Sequence, residues 1–323
     1  MRGLLLAHAG PVMSQLHSQV VAIVGAGFIG RHLVRAFLAQ GYRVQVLDRN
    51  PCPQEFQGAV HWSVGDYHDR TALTQALTGA ALAYHLVSST VPGDLHVDVA
   101  RELHDNVVGS LNFAEVCSQA GVARMVFASS ASVYGVQTQF PIGEGAATNP
   151  ISAHGVHKLA VEKFLLIAQR ERGLEARILR LANPYGPGQS LQGRQGFVAI
   201  AIGCLLNRQA LTLRDAGTMV RDFIYVTDLA EAMLRGGVRD ALPSVINLGA
   251  GLGHSLREVV DTVQELTGQT LSVVAAPARA VDIPLSVMDI ALARQVLDFE
   301  PATSLADGIA KTLRHHGVSL VSD

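Results

Sequence analysis

One stretch decides the fold: Val20-Val-Ala-Ile-Val-Gly-Ala-Gly-Phe-Ile-Gly30, in which an apolar run leads into glycines spaced GxGxxG. The run of five apolar residues predicts a buried strand, and the apolar spacing over 29–39 predicts a helix. Gly25 allows the tight turn between them, Gly27 lets a pyrophosphate approach the backbone, and Gly30 lets the helix pack on the strand. The first N–H groups of that helix would face the phosphates. The stretch therefore predicts a dinucleotide-binding turn.

An acidic residue follows where the ribose of a dinucleotide would be held. Asp48 ends the second predicted strand, 18 residues after Gly30, and its carboxylate can accept hydrogen bonds from both ribose hydroxyls and repel a 2′-phosphate. The sequence therefore favours NAD, although Arg49 beside it leaves NADP open. Asp66, after the third strand, is expected to hold the adenine amine or, alternatively, to cap the helix that begins near Thr71. The cofactor-binding residues predicted for this half are Gly25, Gly27, Phe28, Ile29, Gly30, Asp48, Arg49, Asp66, Tyr67 and Leu86.

Short apolar runs alternate with helical periodicity as far as about residue 181. Such repeats indicate an α/β fold with a doubly wound parallel Rossmann sheet. The predicted strands are 20–24, 44–47, 60–64, 82–87, 124–128 and 176–181, and the predicted helices are 29–39, 70–77, 98–120 and 152–172. We assign residues 1–182 to an NAD-binding Rossmann domain, with 1–18 as a disordered or non-native extension. Residues 183–323 form the predicted smaller α/β substrate domain, with a return to the sheet near 223–250.

Composition and charge exclude several classes of protein. The chain has 323 residues, of which 49% are hydrophobic and 16% charged, so it can build a full core and is not a disordered chain. A net charge of −2 without long runs of like charge does not indicate the basic surface that binds nucleic acid or an anionic membrane. The cysteines Cys52, Cys117 and Cys204 are far apart and indicate thiols in a reducing compartment. No apolar stretch reaches the length of a membrane span, and we expect a cytoplasmic protein.

Six further strings stand in one order along the chain. They are Tyr84-His-Leu, Asn106-Val-Val-Gly-Ser-Leu-Asn112, Ala128-Ser-Ser-Ala-Ser-Val-Tyr-Gly135, Asn183-Pro-Tyr-Gly-Pro-Gly188, Arg221-Asp-Phe-Ile-Tyr-Val-Thr-Asp228 and Asn247-Leu-Gly-Ala-Gly251. With the glycine turn they resemble the extended short-chain dehydrogenase/reductase family, in particular its nucleotide-sugar epimerases and dehydratases, over residues 20 to 310. The family's first glycine is Val24 here. The resemblance implies tightly bound NAD, a nucleotide-diphosphate sugar as substrate, and a homodimer built on the helices 98–120 and 152–172.

The resemblance also implies a reaction at carbon 4 of the sugar. In the family, NAD takes a hydride from that carbon and returns it, while a base removes the proton of the 4-hydroxyl. The base is a tyrosine four residues before a lysine on one helix face, and a serine or threonine hydrogen-bonds the same hydroxyl. Ser130 and Lys158 stand at the matching positions, and Lys158 would also hold the nicotinamide ribose. The tyrosine position is occupied by His154.

This histidine leaves three hypotheses open. In the first, neutral His154 is the base, because the ordinary histidine pKa of about 6.5 suits neutral pH; a bridging water or a shifted substrate must then make up for its shorter reach. In the second, Tyr185, Tyr134 or His157 supplies the proton function. In the third, catalysis is impaired and the protein binds NAD and a nucleotide sugar. A metal site at His154 and His157 is not expected, because no carboxylate or cysteine stands nearby in the sequence.

Residues that would bind the substrate come from the same resemblance. It assigns Arg221 and Arg279 to the diphosphate, and a guanidinium can pair with phosphate through two hydrogen bonds. Asn183 matches an asparagine that contacts the diphosphate or the sugar, and Ser88 lies in the loop below the nicotinamide and the sugar. Ser286 matches the position beside carbon 2, where a small side chain leaves room for an N-acetyl group.

These assignments lead to a predicted function. Ala131 and Ser132 occupy the places where the family's dehydratases keep Asp and Glu, so elimination of water is disfavoured. We predict an NAD-dependent nucleotide-sugar 4-epimerase for a UDP-hexose, UDP-N-acetylhexosamine or UDP-uronic acid. The alternatives are a nucleotide-sugar reductase or dehydratase on the same scaffold, and the impaired binding protein. The predicted catalytic residues are Ser130, His154 and Lys158, and the predicted substrate residues are Ser88, Ser130, Asn183, Arg221, Arg279 and Ser286.

Overall fold

A seven-stranded parallel sheet forms the centre of the larger half of the molecule. The computed structural model describes residues 19–89, 98–193 and 195–321, and the predicted extension 1–18 lies outside them. The strands are β1 Val20–Val24, β2 Arg43–Asp48, β3 His61–Val64, β4 Ala80–His85, β5 Arg124–Ser130, β6 Glu175–Leu181 and β10 Val245–Leu248. Their order is β3-β2-β1-β4-β5-β6-β10, which reverses direction between β1 and β4. The doubly wound α/β fold is confirmed.

Helices cover both faces of this sheet. They are α1 Phe28–Ala39, α2 Arg70–Leu77, α3 Val99–Leu103, α4 Gly109–Gln119, α5 Ala153–Arg172, α7 Val226–Val238 and α9 Ala291–Leu297. Every residue of β1 is buried, as expected for a strand with helices on both sides. Val21 and Ile23 join an apolar core with α1 and α7, whereas Val24 joins a second core with α2, α4 and α5. Alternate side chains of β1 therefore pack into two separate cores.

The segment predicted as one helix over 98–120 contains a π-helical turn. It is divided into α3, the turn His104–Val108 and α4. A Cβ placed on Gly109 would lie 2.4 Å from the Tyr67 hydroxyl oxygen, so α4 begins where only glycine fits. The Tyr67 hydroxyl donates to the Asp105 carbonyl inside the turn. A contact from 38 residues earlier in the chain therefore accompanies the departure from a regular helix.

The smaller half is built around strand β9 at Val220–Tyr225. Its other elements are β7 Asn183–Tyr185, α6 Phe197–Leu206, β8 Leu211–Arg214, β11 Gly253–Ser255, α8 Leu256–Thr267, β12 Val273–Ala276, β13 Leu285–Ser286 and α10 Leu305–His315. β9 pairs with β7, β11 and β13, and β8 pairs with β12. The chain passes between the halves more than once, because α7, β10 and α9 pack with the large sheet. The division into two domains at residue 182 stays a prediction. Within the described residues, no helix is long and apolar enough to span a bilayer.

Candidate functional site

The glycine turn after β1 has the shape that a pyrophosphate needs. Gly25 adopts a φ of +94°, a conformation that residues with a side chain rarely adopt, and its N–H donates to the Leu47 carbonyl at 3.0 Å. A Cβ on Gly30 would lie 2.2 Å from the Gly25 oxygen, whereas a Cβ on Gly27 would meet no atom within 4 Å. The helix therefore packs closely on the turn at Gly30, and space is left beside Gly27 for a dinucleotide to approach.

The first turn of α1 leaves its backbone donors to a ligand. Phe28 and Ile29 form this turn, which carries no acidic residue and, in the described part of the chain, receives no side-chain cap. The partial positive charge of such a helix end favours a phosphate. The Leu86 N–H donates to the Val24 carbonyl at 2.9 Å, and this places the Leu86 side chain next to Gly30. These residues fit the phosphates of a dinucleotide cofactor.

Asp48 lies at the carboxyl end of β2, beside the glycine turn. One carboxylate oxygen accepts the Ala26 N–H at 2.7 Å, and the other accepts the N–H and the side-chain amide of Asn50 at 2.8 and 3.0 Å. Asp48 therefore braces the turn while it remains partly exposed. Its position fits a carboxylate that also receives ribose hydroxyls.

Arg49 and Asp66 form an exposed ion pair of 2.8 Å at the same end of the sheet. Such a pair contributes little to stability because water screens it. Asp66 also accepts the His68 N–H at 2.9 Å. The alternative that Asp66 caps the helix near Thr71 is wrong, because Asp69 accepts the N–H groups of the first turn of α2. The Arg49 guanidinium is thus held beside the expected adenosine position by a carboxylate.

Tyr67 is buried against the second core. Its hydroxyl donates to the Asp105 carbonyl, and burial together with the Asp105 carboxylate raises the pKa of its phenol. Its ring centroid lies 5.5 Å from that of His85. The structure therefore directs the Tyr67 hydroxyl toward the π-helical turn, and any contact with a cofactor would involve its backbone or ring.

Two of the three predicted catalytic residues, His154 and Lys158, lie in the first turns of α5, whereas Ser130 lies at the end of β5. Ser152 caps the helix by accepting the Gly155 N–H at 3.2 Å. His154 and Lys158 follow within the next two turns, and both are buried. They line a small cavity of about 10 Å³ together with Val87, Ser88, Asn106, Phe127, His157 and Val161. The structure thus brings Ser88, His154 and Lys158 together.

Lys158 is held in a defined position. Its Nζ donates to the Ala128 carbonyl at 2.8 Å and lies 4.7 Å from the centre of the Phe127 ring. Burial lowers the pKa of this amine to about 8, and the nearby Glu162 carboxylate counteracts part of that shift. Because this pKa lies close to neutral pH, the amine changes its charge near physiological pH.

Ser130 ends β5 at the edge of a second, larger cavity. Its Oγ accepts the Ser132 N–H at 3.1 Å and lies 2.9 Å from the Ser132 Oγ. This cavity has a volume of about 530 Å³, and its wall includes Ser130, Asn183, Arg221, Arg279 and Ser286. The structure therefore gathers the predicted substrate residues in one cavity, except Ser88, which lines the smaller one.

Guanidinium groups dominate the charge of the large cavity. Arg221 donates to the Val220 carbonyl at 2.8 Å, and burial lowers its pKa. Arg279 pairs with Asp282 at 2.7 Å, and this pair raises the pKa of the guanidinium. Arg214 also lines the cavity and donates to the Pro277 carbonyl at 3.1 Å. Three arginines and one aspartate suit a ligand with two negative charges.

Arg214, Asp282 and Asn106 were not among the predicted site residues. The Asn106 carboxamide oxygen accepts the Ser89 N–H at 2.9 Å, and its amide donates to the Ser89 hydroxyl at 2.8 Å. It thereby fixes the loop after β4. Asn106 stands inside one of the six strings quoted above, whereas nothing in the sequence around Arg214 distinguishes it from a solvated strand residue.

Asp222 joins the two halves of the molecule next to Arg221. Its buried carboxylate accepts the N–H groups of Ala250, Gly251 and Met288 at 2.7, 3.1 and 3.3 Å. Burial raises the pKa of this acid to about 6. β9 is therefore tied to the loop that leaves β10 in the large sheet, and the cavity wall is held against that sheet.

Comparisons with known proteins show what the chain is similar to. The model of the NAD dependent epimerase/dehydratase family matches residues 21–249. A UDP-glucose 4-epimerase from Mycolicibacterium smegmatis is 31% identical over 304 residues, which cover 89% of this chain and 95% of that protein. The family model therefore covers the glycine turn and every residue that lines the small cavity.

Solved structures with the same architecture are also similar in sequence. The UDP-glucose 4-epimerase of Thermotoga maritima with UDP-glucose has a TM-score of 0.85 and 29% identity, and the alignment covers 93% of this chain and 99% of that one. MoeE5 in complex with UDP-glucuronic acid and NAD has a TM-score of 0.84 and 32% identity over the same shares.

Proposed function

This chain belongs to the NAD-dependent epimerase/dehydratase family, and from that membership we propose that it is a nucleotide-sugar 4-epimerase that acts on UDP-sugars. One observation carries the proposal: a buried lysine and histidine on α5 line one cavity, and a separate cavity of about 530 Å³, which Ser130 lines, has arginines on its wall. The relatives named above act on, or are solved with, UDP-glucose and UDP-glucuronic acid. The glycine turn and Asp48 support NAD as the cofactor.

We infer roles for the residues at the reacting carbon. NAD, when bound, supplies the acceptor for the hydride of sugar carbon 4 and the source from which that hydride returns. The His154 imidazole takes the proton of the 4-hydroxyl and gives it back, and the Ser130 hydroxyl orients that hydroxyl. The Lys158 ammonium stabilises the negative charge that develops on oxygen. Ala131 beside Ser130 offers no acid for the elimination of water, so we favour epimerisation over dehydration.

The charged wall of the large cavity supports the diphosphate as the anchor of the substrate. Arg221 and Arg279 would each donate to its oxygens, and Asn183 is held beside them by donating to the Asp222 carbonyl at 3.0 Å. Removing water from these guanidinium groups strengthens their attraction for a dianion. We therefore assign Arg221 and Arg279 to the diphosphate.

Ser286 supports a choice among sugars. It is buried on β13, lines the large cavity and pairs in register with Arg221. A side chain this small leaves room for an N-acetyl group, and we propose that UDP-N-acetylhexosamines or their uronic acids are accepted. Titration with UDP-N-acetylglucosamine and UDP-glucose tests this: binding of the plain hexose with exclusion of the acetylated sugar would overturn it.

The outer face of α4 and α5 supports a homodimer. Phe164 and Ile167 on α5 are 49% and 46% exposed although both are large and apolar. They line a groove of about 380 Å³ with Leu111 and Ala114 of α4. We propose that a second copy of the chain covers this groove, so that α4 and α5 of both copies pack together.

The decisive experiment follows inversion at carbon 4. Purified protein is incubated with UDP-glucose, UDP-N-acetylglucosamine or UDP-glucuronic acid, and the products are observed by NMR for the wild type, His154→Tyr and His154→Ala. Turnover by the wild type and loss in His154→Ala support histidine as the base. An inert wild type that becomes active as His154→Tyr contradicts the histidine role. A protein that binds NAD and the sugar nucleotide but is inert in every form is a binding protein.

A further inference from the structure

A buried ion pair lies beneath the proposed catalytic groups. Arg180 of β6 contacts Glu162 of α5 through two nitrogens, with distances of 2.7 Å from Nη2 to Oε2 and 3.0 Å from Nε to Oε1. The side chains of Arg180 and Glu162 are 5% and 1% exposed. The Ser129 hydroxyl also donates to Glu162. The Glu162 carboxylate of α5 is therefore bound from two strands, β5 and β6.

The pair continues into a network that crosses the sheet. Arg180 donates to the Tyr134 hydroxyl at 2.9 Å, and its guanidinium carbon lies 4.8 Å from the centre of the Tyr134 ring. The Tyr134 hydroxyl donates to the Asn247 side-chain oxygen at 2.6 Å on β10, and the Asn247 amide donates to the Ile142 carbonyl at 2.9 Å. The network thus joins α5 to β5, β6 and β10.

The position of the pair connects it with the reaction. Glu162 follows Lys158 by four residues, so the two side chains lie on one face of α5. Ser129 directly precedes Ser130, and Ser129 lies opposite Arg180 in the pairing of β5 with β6. Removing two charges from water is unfavourable, and apolar residues of similar size are often as stable as a buried pair. Stability alone therefore does not account for an ion pair at this place.

We propose that the Glu162–Arg180 pair is a positioning device for the proposed reaction: it fixes the helix that carries His154 and Lys158 against the strand that carries Ser130, and it sets the charge around the Lys158 amine. The inference rests on the proposed function for the role of Lys158. The pair itself does not touch the substrate, and it acts through Lys158 and Ser130.

Several groups face the Lys158 amine. His154, His157 and Glu162 come from its own helix, His85 comes from β4, and the Ala128 carbonyl comes from β5. Glu162 is the group that holds up the pKa of Lys158 against burial. Because Arg180 neutralises this carboxylate, the two members of one pair act on Lys158 with opposite sign.

The opposite signs provide a test that a purely structural role would fail. Glu162→Gln leaves the Arg180 charge unopposed and lowers the Lys158 pKa, whereas Arg180→Gln leaves the Glu162 charge and raises it, each by roughly one unit. The double variant loses both charges and falls between the wild type and Glu162→Gln. The expected order of the Lys158 pKa, from highest to lowest, is Arg180→Gln, wild type, double variant, Glu162→Gln.

The chain suits a direct measurement because it has three lysines, Lys158, Lys163 and Lys311. The holoenzyme is labelled with carbon-13 at the lysine ε-carbon, and the three signals are followed by NMR from pH 6 to 11. Lys158→Gln assigns the buried lysine, and the signal of Lys311, which lies on α10 in the other half of the molecule, serves as the internal reference. Ser129→Ala, which keeps both charges, is the matched control and leaves the Lys158 pKa unchanged within about 0.3 units.

The outcomes separate the proposals. Shifts of opposite sign support the inference even where no epimerase activity is detected, and in that case the proposed function alone fails. Shifts of the same sign in both single variants, or an unchanged Lys158 pKa with only a loss of stability, overturn it. Where the single variants do not fold, the double variant decides: a Lys158 pKa below the wild-type value supports the role, and an unchanged value contradicts it. In active enzyme, the alkaline limb of kcat/KM moves with the measured pKa.

Discussion

Neighbouring glycines in the glycine turn have different roles: one allows close packing and the other leaves space for a ligand. Gly30 and Gly27 belong to one motif, yet only Gly30 is in contact with the protein backbone. The GxGxxG spacing predicts the roles of both glycines, because a tight turn and the close approach of another group to the backbone each require a residue without a side chain at a fixed position. The environment of Lys158 was not predictable in this way. Burial lowers its pKa and Glu162 opposes that shift, and the burial comes from tertiary packing rather than from the local spacing.

The two glycines are expected to respond differently to the same substitution. Gly30→Ala places a methyl group 2.2 Å from the Gly25 oxygen, and we expect a loss of about 1 to 3 kcal/mol in unfolding free energy together with weaker NAD binding. Gly27→Ala enters open space and should keep stability within about 1 kcal/mol while it lowers NAD affinity on the order of tenfold. Denaturant unfolding and NAD titration measure both. Equal losses of stability in Gly27→Ala and Gly30→Ala would contradict the conclusion that Gly27 faces open space.

At the scale of elements, the strands of the large sheet were predictable and the long helix was not. β1 occupies the predicted residues because buried parallel strands are continuous apolar runs. The apolar spacing over 98–120 resembles one helix, since a π-helical turn changes the period for only a few residues. The π-helical turn is distinguished by its tertiary contacts: Tyr67 contacts the turn at Asp105, and Asn106 binds the loop after β4. A local pattern does not contain such contacts.

The π-helical turn is expected to matter through Asn106. Asn106→Ala removes two hydrogen bonds to Ser89, each worth about 1 kcal/mol. The loop after β4, which carries Ser88 and Leu86, should then lose order, and NAD affinity should fall roughly five- to thirtyfold. Asn112→Ala on the exposed side of α4 is the matched control and should leave the affinity unchanged. The dissociation constant of NAD, measured by calorimetry on both variants, tests this, and equal affinities would contradict it.

At the scale of the whole molecule, buried titratable groups link stability to pH. His85 is completely buried among Tyr67, Phe113 and Phe127, and burial lowers its pKa from 6.5 to about 3. The folded protein therefore keeps this ring neutral where the unfolded chain takes up a proton. Stability from His85 is fully present above pH 6.5 and is lost as the pH falls toward 3, by at most about 5 kcal/mol.

Asp222 changes stability in the opposite direction to His85 in the acid range. Its folded pKa of about 6 lies above the ordinary 3.8, so its contribution is present below pH 4 and is lost as the pH rises through 6. Replacing His85 by Leu should therefore flatten the loss of stability between pH 6.5 and 4, where the two groups oppose each other. Urea unfolding at pH 7, 6, 5 and 4 measures it. The same slope in the wild type and His85→Leu would show that other groups control the acid response.

The proposed second copy of the chain would cover the outer face of α4 and α5. The doubly wound parallel sheet could be predicted from β-then-α repeats, but a partner on the exposed face of α4 and α5 could be expected only by resemblance, because an amphipathic pattern does not reveal what covers it. Phe164 and Ile167 form an apolar surface that a soluble monomer would have to expose to water. Burying both at an interface would release this unfavourable hydration.

Phe164→Glu is expected to convert a dimer into a monomer of 34.3 kDa, because two copies of the charge would be buried against each other at the interface. Val274→Glu, on the exposed strand β12 of the smaller half, is the matched control and should remain dimeric. Sedimentation at micromolar concentration measures both. A wild type that sediments as a monomer would contradict the proposed dimer, and a dimer that survives Phe164→Glu would place the interface away from α4 and α5.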